Sequence, residues 1–231
     1  MIHLFINYKT FVEKSKIIYG IVFEVAKYYL LGENMKIGKN KVRRLLLVLV
    51  LVLLISFISG ILFVGVLNGD SKKIIIDSIS NYFSNFNNNG ISVKSCFNQF
   101  LVDALLYIFV SIMGISIVGW GVSLIVFTLK SFLAGFLFCS IIYTYGFKGI
   151  LLSIVYMVPE FISLFLCFMI CYYAISFSVI LYKYVFRKNE YNIKNIMAKY
   201  LRVVLISLGG VLLNSIIRVL VSYIVLRLFN F

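Results

Sequence analysis

A chain of 231 residues that is 62% apolar and only 13% charged has lipid rather than water as its main solvent, which argues against a soluble core. A net charge of +14 could attract nucleic acid, but the basic residues sit beside long apolar runs and not among exposed aromatics, so anionic lipid headgroups explain the charge and no nucleic-acid partner is expected. Cys96, Cys139, Cys167 and Cys171 show no CxxC spacing and His3 is the sole histidine, so no zinc site, redox pair or cofactor is indicated.

Residues 1–44 form a basic N-terminal segment with no signal-peptide pattern, since its first long apolar run begins only at Leu45. Within it, residues 2–31 mix Phe11, Ile18, Val22, Val25 and Tyr29 with Lys9, Lys16 and Lys27, which predicts an amphipathic helix on the inner leaflet or a cytoplasmic cap on the bundle. Residues 45–67 contain no ionisable side chain, and at about 1.5 Å per residue they cross a hydrocarbon core of about 30 Å. They are the first predicted span of a bundle that occupies residues 45–231.

The next segment, 68–100, is predicted to be an external loop carrying a short helix. Asp70 or Ser71 can cap it, its apolar positions recur at three- and four-residue spacing, and Asn87 to Gly90 stop it. Ile79, Tyr82, Phe83 and Phe86 on its apolar face are either a lid on the bundle or a docking surface for a partner outside the cytoplasm.

Further spans are predicted at 101–119, 122–145 and 201–229, with apolar character also persisting from 149 to 186. As one helix that last stretch would measure about 57 Å, nearly twice the hydrocarbon thickness. Pro159, the sole proline, lacks a backbone donor and clashes with the preceding turn, so the break is expected near Val158. Residues 149–158 would then be interfacial or re-entrant and 160–182 the spanning helix. The predicted architecture is all-α: a polytopic membrane bundle of five transmembrane helices, the fourth broken near Pro159. Nine basic residues precede Leu45 and six lie between 183 and 202, which predicts a multi-pass cell-membrane protein with a cytoplasmic N-terminus and an external C-terminus.

A charge at membrane depth costs at least about 2.5 to 3.5 kcal/mol on insertion scales and needs a partner, an escape or a task. Lys130 is expected to snorkel to the inner surface, or to meet carbonyls freed at the Gly119 to Gly121 turn. Asp103 and Glu160 begin their predicted spans near the outer surface, and Arg218 lies in the outer half of the last, so either carboxylate is a candidate partner for Arg218. Gly210, Asn214, Arg218 and Ser222 recur every four residues, a polar stripe that faces protein or water. Packing through interhelical hydrogen bonds is the leading reading of it, and a polar pathway the other. Ser131, Gly135 and Cys139 form a second small-residue face, expected to pack. No serine or cysteine has a nearby histidine and no phosphate loop is present, so enzyme is the least expected class.

The residues Gly114-Ile-Ser-Ile-Val-Gly119, Leu129-Lys130-Ser131 leading to Ala134-Gly135-Phe136, Gly146-Phe-Lys-Gly149 and Val158-Pro159-Glu160 resemble, in order and spacing, the stage II sporulation protein M family. These are integral membrane proteins of endospore-forming bacteria, and the resemblance covers about 85 residues. It implies a non-enzymatic scaffold for forespore engulfment that assembles two membrane-anchored peptidoglycan-degrading partners, the stage II sporulation proteins D and P, at the septal membrane. The alternative is a small transporter or channel that uses the Asn214–Arg218 stripe and the interrupted helix at Pro159. A homo-oligomer remains open.

Overall fold

The apolar run 149–186, nearly twice the length of a straight bilayer crossing, is one continuous helix here, and the chain folds back just before it, at Gly146. The computed structural model describes the backbone of residues 39–89, 93–187 and 193–229 and the side chains of 45–81, 97–186 and 193–222; the predicted amphipathic helix at 2–31 lies outside these. The described residues form α1 (Lys39–Val66), α2 (Gly69–Asn89), α3 (Val93–Gly114), α4 (Gly119–Arg187) and α5 (Ile193–Phe229), with no strand among them.

Four of these helices are long and apolar enough to cross a membrane, and one of them, α4, is 69 residues long. Its helical course is interrupted at Gly146, with φ 58° and ψ −131°. A side chain in that left-handed region crowds the following carbonyl, so glycine is the residue that turns there at least cost. The two arms, 119–145 and 147–187, run back along each other. Cys171 Sγ reaches the Ser123 carbonyl at 3.4 Å, the rings of Phe127 and Phe168 are 5.9 Å apart, and Ile141 and Leu152 share a core cluster near the tip. Each arm exceeds about 30 Å, so the described residues hold five segments long enough to cross a membrane, arranged as a helical bundle.

The expected break near Pro159 is therefore corrected. The second arm runs through Pro159, and residues 149–158 belong to it instead of forming a re-entrant piece. Neighbouring helices in a membrane can compensate for the hydrogen bond that proline removes, whereas the reversal at Gly146 requires a backbone conformation proline does not supply.

The second arm is the centre of the bundle, with every residue from Ile170 to Ser178 buried. By contrast α1 turns Leu47, Leu51, Ile55, Ile58 and Leu62 outward, as a lipid-facing helix does. It meets the first arm where Gly60 faces the Phe132 carbonyl and Gly135 faces the Phe57 carbonyl, with no room for a methyl group at either. Close backbone approach of this kind holds helices together where no hydrophobic force distinguishes protein from lipid. The Ser131–Gly135–Cys139 face packs as expected, at least at Gly135 and at Ser131, which is fully buried.

The Gly114–Gly119 segment is a compact turn between α3 and α4. Ser116 N–H donates to the Met113 carbonyl at 2.9 Å and Gly119 N–H to the Ser116 carbonyl at 3.1 Å. The second arm clamps it, because Ser178 Oγ donates to the Ile117 carbonyl at 2.9 Å and accepts from Trp120 N–H at 3.3 Å. At the opposite end α2 forms where the sequence predicts a helix. Ile79 is half-buried against the cluster of Ile141, Leu152, Tyr156 and Val219, and Lys72 Nζ donates to the Gly65 carbonyl at 3.2 Å while lying over the Tyr143 ring. The side chains of Tyr82, Phe83 and Phe86 lie outside the described residues.

A candidate site built from intramembrane charges

Four ionisable side chains from α3, both arms of α4, and α5 converge inside the bundle. Lys130 Nζ is 2.5 Å from Asp103 Oδ1, and Arg218 Nη2 is 2.7 Å from Glu160 Oε1 and 3.7 Å from Asp103 Oδ2. The order is Lys130–Asp103–Arg218–Glu160, two cations alternating with two carboxylates, so the formal charges cancel. Side-chain exposure is 8% for Asp103 and 12% for each of the other three. In such a setting Coulomb attraction is strong but each charge has lost its water, so removing one member strands its partner.

The hydroxyl groups of Tyr107 and Ser163 extend the cluster. The Tyr107 phenol donates to the Ser163 carbonyl at 2.6 Å and lies 3.0 Å from Ser163 Oγ, which in turn is 3.4 Å from Asp103 Oδ2. On α3 the series Asp103, Tyr107, Ser111 repeats every four residues and faces the interior, all three being buried. One further turn along, Tyr200 of α5 donates its phenol to the Ser111 carbonyl at 2.7 Å and stacks on Phe177 at 5.2 Å between ring centroids. Contacts thus join α3, α4 and α5 at two levels, ionic at the first and, at the second, a phenol hydrogen bond to α3 with a ring stack on α4.

Arg218 has the carboxylate partners the sequence nominated, and it has both of them. Lys130 departs from expectation: it neither snorkels nor meets the Gly119–Gly121 turn, because Asp103 offers a counter-ion closer than any interface. Depth is corrected as well. Exposed aromatics mark both ends of the first arm, Trp120 at one and Tyr143 at the other. Lys130 lies about 15 Å along the helix from the first and about 20 Å from the second, near the middle of the pass. Glu160 is at the same level because the second arm starts at the hairpin tip and not at Pro159, which places it about 21 Å from Gly146. The sequence reading missed Tyr107 and Ser163, although the four-residue spacing from Asp103 was there to flag Tyr107.

Pro159 is buried next to Glu160 in the second arm. On the α5 stripe, Asn214 and Ser222 are buried and Gly210 packs on Leu166, so the stripe faces protein. Among the described residues no three His, Cys, Asp or Glu side chains gather as a metal site would need, and both carboxylates of the cluster are engaged by cations. Cys167 and Cys171 stand 4.0 Å apart on one helix face, Cys171 donating to the Ser123 carbonyl.

No family model matches the chain, and neither a curated protein nor a solved structure matches it.

Proposed function

We propose that this protein is a non-enzymatic membrane scaffold. The observation that carries the reading is the ionic chain: all four charges engage one another across the bundle, so their role is to lock α3, α4 and α5 into one arrangement, and neither carboxylate of the cluster is left over as an acid or base. A rigid arrangement of helix ends is what a scaffold presents to partners.

The resemblance supplies the specific role. Its motifs fall on the α3–α4 turn, on Lys130, on the hairpin tip and beside Glu160, which are positions that shape the bundle. On that basis the protein holds the stage II sporulation proteins D and P at the sporulation septum for peptidoglycan remodelling during engulfment. The proposed topology has the N-terminus and the 183–202 segment in the cytoplasm and α2 outside, where hydrolases acting on the wall must sit.

One observation favours a transporter or channel instead: charges near the middle of a membrane pass commonly mark ion paths. Reconstitution separates the two. For a scaffold, vesicles carrying the purified protein stay as tight to ions and small solutes as empty ones; selective flux that Arg218→Leu abolishes would overturn the scaffold reading.

A further inference from the structure

One turn from Arg218 on α5, Asn214 is 2% exposed, and no donor among the described residues reaches its Oδ1. A buried amide oxygen without a donor costs much of the free energy of a hydrogen bond, so such an atom usually has a partner. Two contacts fix what lies opposite it. A methyl group on Gly210 would come 2.8 Å from Leu166 Cδ2, and Arg218 Nη2 is 2.7 Å from Glu160 Oε1. In this antiparallel register Asn214, midway between 210 and 218, falls at the level of Ser163, midway between 160 and 166.

The polar oxygens at that level are short of close donors. The Tyr107 phenol proton is committed to the Ser163 carbonyl at 2.6 Å. Among the described residues Asn214 Oδ1 has no donor, and the donors facing Asp103 Oδ2 at this level, the Ser163 hydroxyl at 3.4 Å and Arg218 Nη2 at 3.7 Å, both stand at long range. The direct Ser163 to Asp103 separation of 3.4 Å is also longer than the roughly 2.5 to 3.0 Å of a well-formed O–H···O bond.

We infer that a buried water molecule is bound between Asn214, Ser163 and Asp103, joining the α5 amide to the ionic cluster. Water supplies the close donors: it donates to Asn214 Oδ1 and to Asp103 Oδ2 and accepts from Ser163 Oγ–H. Three hydrogen bonds are typical of buried structural water. A monovalent cation would suit the same oxygens but would bring a third positive charge against two carboxylates already matched by Lys130 and Arg218. This site does not depend on the scaffold reading.

The test uses the full chain in lipid nanodiscs. A structure at a resolution that shows ordered water is expected to place a density peak within about 3 Å of both Asn214 Oδ1 and Ser163 Oγ. Asn214→Leu removes the acceptor while keeping the same number of side-chain heavy atoms in the same branched shape, and is expected to lower the thermal unfolding midpoint by several degrees. A stranded oxygen predicts the opposite, since replacing it by an apolar isostere raises the midpoint or leaves it unchanged. That result, or the absence of the density peak from the unaltered chain, overturns the inference. So does a midpoint that climbs with sodium chloride and not with choline chloride, which identifies the guest as a cation. The density measurement on the unaltered chain decides the matter if the variant fails to fold.

Discussion

Lys130 Nζ and Asp103 Oδ1 lie 2.5 Å apart, joining the first arm of α4 to α3 inside the apolar span. Asp103 also faces Arg218 at 3.7 Å, which makes it the one member of the cluster in contact with both cations. Asp103→Asn should therefore be the most damaging single change, leaving Lys130 without its anion at a cost of about 3 to 5 kcal/mol. Thermal unfolding in detergent reads this directly. The double variant Lys130→Met, Asp103→Leu keeps the Arg218–Glu160 pair and removes both other charges, so it should recover a large part of the loss.

Arg218 and Glu160 form the other close ion pair of the cluster, at 2.7 Å. Arg218→Leu and Glu160→Gln should each destabilise by a few kcal/mol, and their double variant should lose clearly less than the sum. Strict additivity in a double-mutant cycle would mean the two side chains do not interact.

Gly146 and Pro159 should respond in opposite ways. Gly146→Val forces a β-branched residue into the left-handed region at about 1 to 3 kcal/mol and should loosen the hairpin. Pro159→Ala restores a backbone donor within a continuous helix, so it should preserve the fold and leave the unfolding midpoint unchanged or higher. A collapse of the fold in Pro159→Ala, with Gly146→Val tolerated, would place the functional break at the proline.

On α2, Ile79 and the ring positions should separate. Ile79 packs on the core cluster near the hairpin tip, so Ile79→Ser should lower stability by about 1 to 3 kcal/mol. Phe83→Ser and Phe86→Ser are expected to weaken recovery of wall-degrading partners while the bundle stays folded. Equal loss of stability in all three variants would make α2 a lid alone.

Much of the fold was legible because lipid imposes simple rules. Uninterrupted apolar length located the passes, α2 appeared where a three- and four-residue apolar repeat predicts it, and Arg218 demanded a counter-ion that only Asp103 or Glu160 could provide. What misled was taking Pro159 as a helix breaker. Proline has a fixed local penalty that neighbouring helices can absorb, while the turn at Gly146 depends on two arms finding each other, information that resides in contacts such as Phe127 with Phe168. The same error displaced Glu160 toward the surface and hid the shared depth of all four charges. Lys130 was misread because snorkelling is a property of one helix, whereas its pairing with Asp103 arises between two.

The most direct test of the scaffold reading is affinity purification of the full chain from cells of its own species, with bound proteins identified by mass spectrometry. The account predicts that membrane-anchored peptidoglycan-degrading proteins corresponding to stage II sporulation proteins D and P come down with the unaltered chain. It also predicts that they are lost with Asp103→Asn, whose bundle no longer holds its helix ends in place. Recovery of no wall-degrading protein with the intact, folded chain would contradict it.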